Sequence, residues 1–426
     1  MQKIRERKML NLTCEQKEIA SQIINGCNKG LADPNNTKYP VFYKLYDIML
    51  SCNWVPEEVD VSRDKTDFEK LLPAEKRAYG LVLSQLIFMD SLQTENTAEH
   101  VIPFISDPVA EMAFSRQAFD ESLHSKSYYV MADGIYDDSN EIYNMMFEDK
   151  ILQKKNMYLD EIYEKYGERA IEFDTTLVRR CKKEWYIKSK VKSNEELKKI
   201  IEIEEDFNDL LESNSLDEYI EKQFQRRFEA QVKMIIANQA LEGIYFYSGF
   251  VLIYLFGRQG KMLGSVDMIR FIHRDELNHT ALFANLFRIV HQENKNKFSK
   301  KLYEECRQIL VDAAELEIEW GQYVTQNQIV GINNELIEKY IKYLANDRFR
   351  ILGLDRVNGL PLPFEGYYEN PLKWVDNYRK LNDTKTAFFE STNKNYDNAG
   401  TDLSAPIKSK DPEVLLEKII EELKGN

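Results

Sequence analysis

The chain has 426 residues and a formal net charge of −14, which excludes the clustered basic surface that binding to a phosphate backbone requires. Hydrophobic residues make up 43% of it, enough for a sizeable core, whereas only 17 glycines and 11 prolines disfavour a turn-rich β-sandwich. We therefore expect an all-α protein that does not bind nucleic acid.

Helical patterning becomes continuous at Pro73, a residue type favoured in the first turn of a helix. The apolar positions that follow it are too dense for one narrow stripe, which predicts a central helix. A second long helix is predicted to contain residues 108–131, and residues 140–190 are helical but more polar. The charge-laden stretch 190–222 is typical of a solvated hairpin or an insertion.

The helical pattern resumes at residues 222–256, breaks at GRQGKMLG, and returns at 265–292. The break lacks the spacing of a phosphate-binding loop and lies between helices, so it predicts a helix–helix turn. Residues 380–411 are rich in Asn, Thr, Ser, Lys and Asp, which predicts a flexible tail. After it, Asp411 can cap and Pro412 can start a short terminal helix with an apolar face.

Cysteines and apolar segments bear on the compartment. Five cysteines lie far apart without a Cys-x-x-Cys pair, which predicts neither a disulfide framework nor a zinc ribbon and fits a reducing cytoplasm. The N-terminus MQKIRERKML lacks the apolar segment of a signal peptide. The most apolar run, residues 244–256, is shorter than the roughly 20 residues that cross a bilayer. We expect a cytoplasmic protein without a membrane span.

Two copies of Glu-x-x-His lie on separate predicted helices, Glu121 with His124 in ESLH and Glu276 with His279 in ELNH. Residues three apart share a helix face, so each pair can bind one ion. A single match is weak, because amphipathic helices carry such pairs by chance. Two matches carry more weight, since a dimetal helical bundle uses two such pairs plus one carboxylate from each of two further helices.

Asp90 and Glu242 are the candidates for the remaining carboxylates, because each is an acid in a helix otherwise poor in charge. The alternative for either is a buried acid paired with Arg or Lys, or an acid at an exposed helix edge. Two divalent ions would cancel the charge of the four carboxylates. A ligand set of Glu, Asp and His without Cys suits iron or manganese rather than structural zinc or an iron–sulfur cluster.

The order Asp90, Glu121-x-x-His124, Glu242, Glu276-x-x-His279 resembles the small (β) subunit of class I ribonucleotide reductase. The segments DSLQ, ESLHSKSY, ALEGIYFY, HRDELNH and NWVPEEVDVSRD are similar to blocks of that family. Ferritins, rubrerythrins and fatty-acyl desaturases share the metal pattern but lack the upstream tryptophan segment and a tyrosine four residues after the first histidine. The resemblance implies a ferritin-like helical bundle over residues 1–375 with a dinuclear metal site in its core. It further implies a flexible tail, residues 376–426, that docks on the large subunit.

In that family the dimetal centre and dioxygen oxidise the tyrosine at the position of Tyr128 to a stable radical. The radical is passed to the large subunit, which reduces ribonucleotides to deoxyribonucleotides. By resemblance, Trp54 starts the transfer path, Asp275 hydrogen-bonds between Trp54 and His124, and Tyr396 relays the radical in the tail. The residues that match the apolar pocket around the radical are Phe246, Phe250 and Ile272.

The resemblance also implies a homodimer that associates with the large subunit. It favours two irons activated by dioxygen, while two manganese ions, one ion of each metal, and activation through a flavoprotein stay open. Two other readings remain: a ferritin-like iron-binding protein, and a heterometal oxidase without a stable tyrosyl radical. In either, Tyr128 is an ordinary core tyrosine.

Overall fold

The computed structural model describes residues 21–27, 30–355, 360–379 and 412–425. Within these ranges the protein is helical and has no β-strand; one isolated antiparallel bridge joins Ile24 and Ile105. The all-α prediction is confirmed. The α-helices of the described ranges are α1 (Pro40–Ser51), α2 (Asp64–Lys70), α3 (Pro73–Asn96), α4 (Pro108–Ile135), α5 (Asn140–Glu148), α6 (Lys150–Ile171), α7 (Asp174–Lys188), α8 (Asn194–Lys198), α9 (Glu204–Glu212), α10 (Leu216–Ala240), α11 (Tyr247–Arg258), α12 (Leu263–Glu293), α13 (Lys300–Thr325), α14 (Asn334–Leu352), α15 (Val375–Arg379) and α16 (Pro412–Gly425).

Short helical segments of other types connect these helices. The 3₁₀ turns are Pro34–Asn36, Pro56–Glu58, Ile102–Phe104 and Lys295–Lys297. The π-helical segments are Thr97–Val101, which extends α3, and Leu241–Tyr245, which joins α10 to α11. Single π turns inside helices occur frequently at functional sites.

The starts of the long helices follow from local chemistry. Pro73 occupies the first turn of α3, and the Glu75 carboxylate accepts a hydrogen bond from the Leu72 N–H at 2.8 Å. At α4, the Asp107 carboxylate accepts from the N–H groups of Val109 and Ala110 at 3.0 and 2.9 Å. Backbone donors left open at a helix start are thereby satisfied, and both predicted helices are confirmed.

The centre of the protein is formed by four long helices. α3 packs along α4, α4 packs against α12, and α12 packs against α10. α6 and α13 cover the outer side of α10, while α11 lies between α12 and α3. One large apolar cluster fills the space among these helices, so any polar group that points inward from them lies far from water.

The stretch 190–222, predicted as a solvated hairpin or insertion, is helical and has its own apolar core. It contains α8, α9 and the start of α10, which pack with α7. Arg169 of α6 holds this unit through a bidentate contact with Asp206, 2.8 Å at both oxygens. The second core consists of Leu177, Val178, Cys181, Leu197, Ile201, Phe207, Leu210 and Tyr219.

The terminal helix α16 packs against α1, α12 and α14 of the same chain. It buries Leu416 and Leu423, and Lys424 Nζ lies 2.7 Å from the Asp347 carboxylate. The predicted helix start at Pro412 is confirmed. Tyr396 lies outside the described residues, and the division of the chain at residue 375 stays a prediction.

The structure bears on two sequence predictions, one about membrane-spanning segments and one about disulfides. Leu216–Arg258, the one helical stretch of the described residues long and apolar enough to span a membrane, is 89% buried over its most apolar window, as in a core helix. The cysteine spacing predicted no disulfide framework; among the described cysteines, Cys27 is disulfide-bonded.

Candidate metal centre

Side chains from the four central helices converge in the core. The pairs Glu121 with His124 and Glu276 with His279 each lie on one face of a helix, on α4 and α12. The six predicted ligands are 0% exposed: Asp90, Glu121, His124, Glu242, Glu276 and His279. The helices therefore bring together all six residues selected from the sequence.

These side chains form two overlapping groups, within each of which the ligand atoms all lie within 4.8 Å of one another. One group is Asp90, Glu121, His124 and Glu276, and the other is Glu121, Glu242, Glu276 and His279. Glu121 and Glu276 belong to both groups. A carboxylate has two oxygens, so each shared residue can offer one oxygen to either group. The arrangement suits two metal ions side by side.

The distances show that both imidazoles face the carboxylates through Nδ1. His279 Nδ1 lies 3.0 Å from Glu276 Oε2 and 3.1 Å from Glu121 Oε1. His124 Nδ1 lies 3.2 Å from Glu276 Oε1 and 3.5 Å from Asp90 Oδ2. Nitrogen and carboxylate oxygen atoms thus point at common centres, as metal ligands do.

The acids of this cluster are not balanced by basic side chains. Among the described residues, their only basic neighbours at salt-bridge distance are His124 and His279. Five of their oxygen atoms accept no hydrogen bond from the described residues: Asp90 Oδ1 and Oδ2, Glu121 Oε2, Glu242 Oε2 and Glu276 Oε1. Buried, unpaired carboxylates cost several kcal/mol each unless a cation compensates them. The donor set therefore fits a dinuclear metal site.

Protonation in the metal-free chain reflects this excess of negative charge. Burial raises the pKa of Asp90 to about 8, although the His124 imidazole, whose Nδ1 lies 3.5 Å from Asp90 Oδ2, opposes the shift. Burial, followed by repulsion from Glu121 and Glu276, raises the pKa of Glu242 well above its usual value. For Glu276 burial is outweighed by the imidazoles of His279 and His124, which hold its pKa below the usual range. Asp90 and Glu242 therefore resist ionisation unless positive charge is added.

The outward nitrogen of each imidazole faces a buried aspartate. His124 Nε2 lies 3.3 Å from Asp275 Oδ2, and His279 Nε2 lies 3.6 Å from Asp120 Oδ2. Trp54, which is 1% exposed, donates its indole N–H to Asp275 Oδ2 at 2.7 Å. Trp54, Asp275 and His124 are thus connected in the order that the resemblance predicted. A carboxylate behind a histidine fixes the orientation of its ring and makes it a better metal ligand.

Tyr128 is fully buried one helical turn beyond His124. Burial, followed by the negative charges of Asp90 and Glu276, raises its pKa well above the usual value, so the side chain is a neutral phenol. The residues predicted for the radical pocket, Phe246, Phe250 and Ile272, are all 0% exposed. The rings of Phe246 and Phe250 stack with their centroids 5.8 Å apart. The predicted tail relay Tyr396 lies outside the described residues.

Comparison with known proteins identifies the family. A family model for the small chain of ribonucleotide reductase matches residues 32–183 and 175–359. The chain belongs to this family. The beta subunit of ribonucleoside-diphosphate reductase from Treponema pallidum is 32% identical over 379 residues, which cover 88% of this chain and 90% of that protein.

Solved structures agree with this assignment. The ribonucleotide reductase R2 subunit from Clostridium botulinum has a TM-score of 0.69 at 30% identity, covering 89% of this chain and 99% of that one. A dimanganese(II) protein from Streptococcus sanguinis has a TM-score of 0.58 at 20% identity, covering 82% of this chain and 99% of that one, and shares the fold. The predictions of a ferritin-like bundle and a ribonucleotide reductase small subunit are confirmed.

In this member of the family, Glu242 lies in the π segment Leu241–Tyr245, and polar side chains satisfy the backbone carbonyls of that segment. Lys155 Nζ and Gln85 Nε2 donate to the Tyr245 carbonyl at 2.9 and 3.0 Å. Arg348 Nε donates to the Gly243 carbonyl at 2.9 Å. A Cβ atom at residue 243 would lie 2.5 Å from Arg348 Nε, so glycine permits this close approach. These contacts fix the backbone that carries Glu242.

A buried ion pair also stabilises the backbone around the π segment. Lys155 Nζ lies 2.5 Å from the Glu317 carboxylate, and both side chains are almost fully buried, at 1% and 0% exposure. The other Glu317 oxygen accepts from the Ser248 N–H at 2.9 Å. Lys155 of α6 and Glu317 of α13 therefore hold both sides of the junction between the π segment and α11.

Sequence reasoning missed several residues of this region. Asp120 had a visible signal, because both ligand motifs read Asp-Glu-x-x-His, with Asp120 before Glu121 as Asp275 stands before Glu276. Gln93 and Gln117, whose amides donate to Glu242 Oε1 at 2.5 and 2.6 Å, carry no comparable pattern. Lys155 and Glu317 also lack a recognisable sequence pattern, because the two residues come from distant parts of the chain.

Proposed function

We propose that this protein is the radical-generating small subunit of a class I ribonucleotide reductase, with Tyr128 as the residue that stores the radical. The observation that carries the proposal is the pair of overlapping ligand groups with a buried tyrosine one turn beyond His124. The metal ligands alone would also suit an iron-storage protein or an oxidase without a stable tyrosyl radical. The buried phenol beside Asp90 and Glu276 favours one-electron oxidation of the protein itself.

The six residues Asp90, Glu121, His124, Glu242, Glu276 and His279 are the proposed ligands of two metal ions, which we assign as iron. Two divalent ions neutralise the four carboxylates, and oxygen and imidazole ligands suit iron and manganese. When bound, the two ions supply, together with dioxygen, the one-electron oxidant for Tyr128. A dimanganese or mixed centre is the alternative that metal replacement tests.

The protein's own groups handle the proton and exclude water. Tyr128 holds its proton in the resting state because burial and nearby carboxylates raise its pKa. Oxidation must therefore remove a proton together with the electron, and we assign Asp90, the first carboxylate beside the phenol, as its acceptor. Phe246, Phe250 and Ile272 provide an apolar surrounding in which a radical is shielded from reductants.

The proposed exit for the oxidising equivalent is the connected set of His124, Asp275 and Trp54. The hydrogen bonds of 3.3 and 2.7 Å along this set provide a short route from the ligand sphere. Tyr396 is the proposed relay in the tail. The receiving partner is the large subunit, which reduces the ribonucleotide, and we propose a cytoplasmic homodimer of the small subunit as the working form.

Electron paramagnetic resonance of the metal-free protein, loaded with ferrous iron and exposed to air, tests the proposal. We expect a tyrosyl signal that Tyr128→Phe abolishes and Tyr129→Phe retains, since the neighbouring Tyr129 is 48% exposed and cannot store a protected radical. Loading with manganese, or with both metals, follows if iron gives no radical. Absence of an organic radical under all three conditions would contradict the proposal and favour the oxidase.

The exit route has a separate test. Trp54→Phe should keep the resting radical but stop nucleotide reduction with the large subunit, because phenylalanine can neither donate to Asp275 nor be readily oxidised. Trp185→Phe is the matched control, since Trp185 packs on the second core. Retained turnover in Trp54→Phe would refute the route while leaving the assignment of Tyr128 intact.

A further inference from the structure

A hydrogen-bonded tyrosine–histidine pair lies in the core on the α11 side of the centre. Tyr254 of α11 and His273 of α12 are both 0% exposed, and the Tyr254 hydroxyl lies 2.9 Å from His273 Nδ1. A phenol bonded to an imidazole can lose an electron while its proton moves to the ring nitrogen. Oxidation of the pair therefore leaves a neutral phenoxyl radical and places the positive charge on the imidazolium of His273, and return of the proton makes the step reversible.

The inner end of the pair is close to the candidate metal centre. His273 is one helical turn before Glu276 on α12, a spacing at which Cβ atoms are about 5–6 Å apart. The His273 ring also contacts Phe250, with 4.8 Å between centroids, and Phe250 stacks on Phe246 at 5.8 Å. The pair thus borders the apolar pocket proposed for the radical.

The outer end reaches the surface through two further aromatic rings. Tyr378 stacks on Tyr254 with centroids 4.5 Å apart and an interplanar angle of 12°. Trp374 follows at 6.1 Å from Tyr378, and the Arg258 guanidinium lies 4.5 Å above the Trp374 ring. Trp374 and Tyr378 are both partly exposed. An aromatic chain therefore runs from the pocket to solvent and shares no residue with the Trp54 route.

We propose that Trp374, Tyr378, Tyr254 and His273 form an electron relay through which an external one-electron donor reduces the Tyr128 radical. This inference rests on the proposed function, because it takes the Tyr128 radical as the electron acceptor. The donor is a small molecule or redox protein that gives up one electron at the Trp374 surface.

Atoms and electrons balance in each step. Tyr254 gives one electron to the Tyr128 radical and its phenol proton to His273 Nδ1, while the Tyr128 oxygen takes back the proton that it lost on oxidation. The external donor then supplies one electron through Trp374 and Tyr378, and the Tyr254 oxygen recovers its proton from His273. The net change is the transfer of one electron from the donor to Tyr128 and the return of one proton to its phenol oxygen.

Packing alone would also place these rings together, since Tyr378 anchors α15 on α11 and α12. Tyr254→Phe and Tyr378→Phe separate the two roles, because each keeps the stacked ring and removes the oxidisable phenol. Tyr79→Phe is the matched control. Tyr79 is equally buried, but its hydroxyl bonds Ser265 at 2.8 Å and not a histidine.

The first experiment uses metal-free protein and so does not depend on the proposed function. Flash photolysis of a ruthenium polypyridyl photo-oxidant with persulfate oxidises surface aromatic groups, and high-field electron paramagnetic resonance identifies the trapped radicals. Tyr303 and His291 form a second hydrogen-bonded pair, with 2.6 Å between the hydroxyl and Nε2, so every protein in this experiment also carries Tyr303→Phe. In that background we expect a histidine-bonded tyrosyl component that Tyr254→Phe abolishes and Tyr79→Phe retains. Persistence of the component after Tyr254→Phe overturns the relay.

The second experiment measures decay of the Tyr128 radical in metal-loaded protein mixed with reduced methyl viologen. The decay rate should fall by about tenfold or more in Tyr254→Phe and in Tyr378→Phe, and stay unchanged in Tyr79→Phe. Wild-type decay rates in both relay variants overturn the proposal. Failure of the wild type to form a radical contradicts the proposed function instead, and the relay is then decided by the metal-free experiment.

Discussion

The two buried charge clusters on either side of the π segment Leu241–Tyr245 differ in how their charges are balanced. In the candidate metal centre, four acids face two imidazoles, and several acid oxygens accept no hydrogen bond from the described residues. In the other cluster, Glu317 faces Lys155 at 2.5 Å and also accepts from a backbone N–H. The two clusters are equally buried, but only the Lys155–Glu317 pair contains the positive charge that balances its acid.

This difference in charge balance distinguishes a site that can bind cations from an ion pair that supports the fold. A buried acid with its own lysine needs nothing further and stabilises the structure around it. A buried group of acids without one stores an unfavourable energy that only a bound cation releases. Replacing an acid should accordingly stabilise the metal-free protein at the candidate metal centre and destabilise it at the Lys155–Glu317 pair.

Glu276→Ala should have the largest effect, because Glu276 belongs to both ligand groups. We expect loss of the dinuclear centre, with metal affinity lower by about 10,000-fold or more, equivalent to about 5.5 kcal/mol, which exceeds the usual cost of changing a residue behind a ligand. Metal analysis after desalting measures it. Glu168→Ala, at an exposed acid, is the control; two ions per chain in Glu276→Ala would remove Glu276 from the ligand set.

Lys155→Met should come next, because it leaves the Glu317 carboxylate buried and unpaired. The expected loss in the free energy of unfolding is about 3–5 kcal/mol. Denaturant unfolding of the metal-free protein measures it. Adding Glu317→Leu should recover most of the loss, since the double variant buries no unpaired charge; an equally unstable double variant would show that the charge balance is not the cause.

Glu242→Gln should act in the opposite direction. Burial raises the pKa of Glu242, so at neutral pH this acid must take up a proton on folding. Glutamine removes that cost and keeps an oxygen for the Gln93 and Gln117 amides. We expect the metal-free protein to gain about 1–4 kcal/mol in the free energy of unfolding. The same denaturant measurement applies, and Glu317→Gln should instead destabilise. A loss of stability in Glu242→Gln would break the comparison between the clusters.

The smallest effect is expected for Lys154→Met. Lys154 and Glu319 form an ion pair at 2.5 Å between α6 and α13, the same two helices as the buried pair, but their side chains are 56% and 44% exposed. Solvent screening limits such pairs to below about 1 kcal/mol. A loss comparable to that of Lys155→Met in urea unfolding would mean that burial does not set the strength of these contacts.

The candidate ligands and the long helices were predictable because their signals are local. The Glu-x-x-His spacing places two side chains on one face, and Asp90 and Glu242 stand out as acids in apolar helices. Helices α3, α4 and α12 begin within two residues of the predicted starts. Each of these signals is complete within a single turn or a single helix.

The residues that could not be predicted depend on distant contacts. Nothing near Lys155 indicates Glu317 as its partner or the Tyr245 carbonyl as its acceptor. In the stretch 190–222, abundant charges obscured apolar positions such as Leu197 and Leu210, which form a second core only once α7 folds back. The apolar face of α16 was visible, but its docking on α1, α12 and α14 was not.

We propose that the uncompensated acids hold two metal ions at defined places. Anomalous X-ray diffraction from crystals of iron-loaded protein, collected at the iron absorption edge, tests it most directly. We predict two peaks per chain, one among Asp90, Glu121, His124 and Glu276, and one among Glu121, Glu242, Glu276 and His279. A single peak, or peaks away from these side chains in fully loaded protein, would contradict the account.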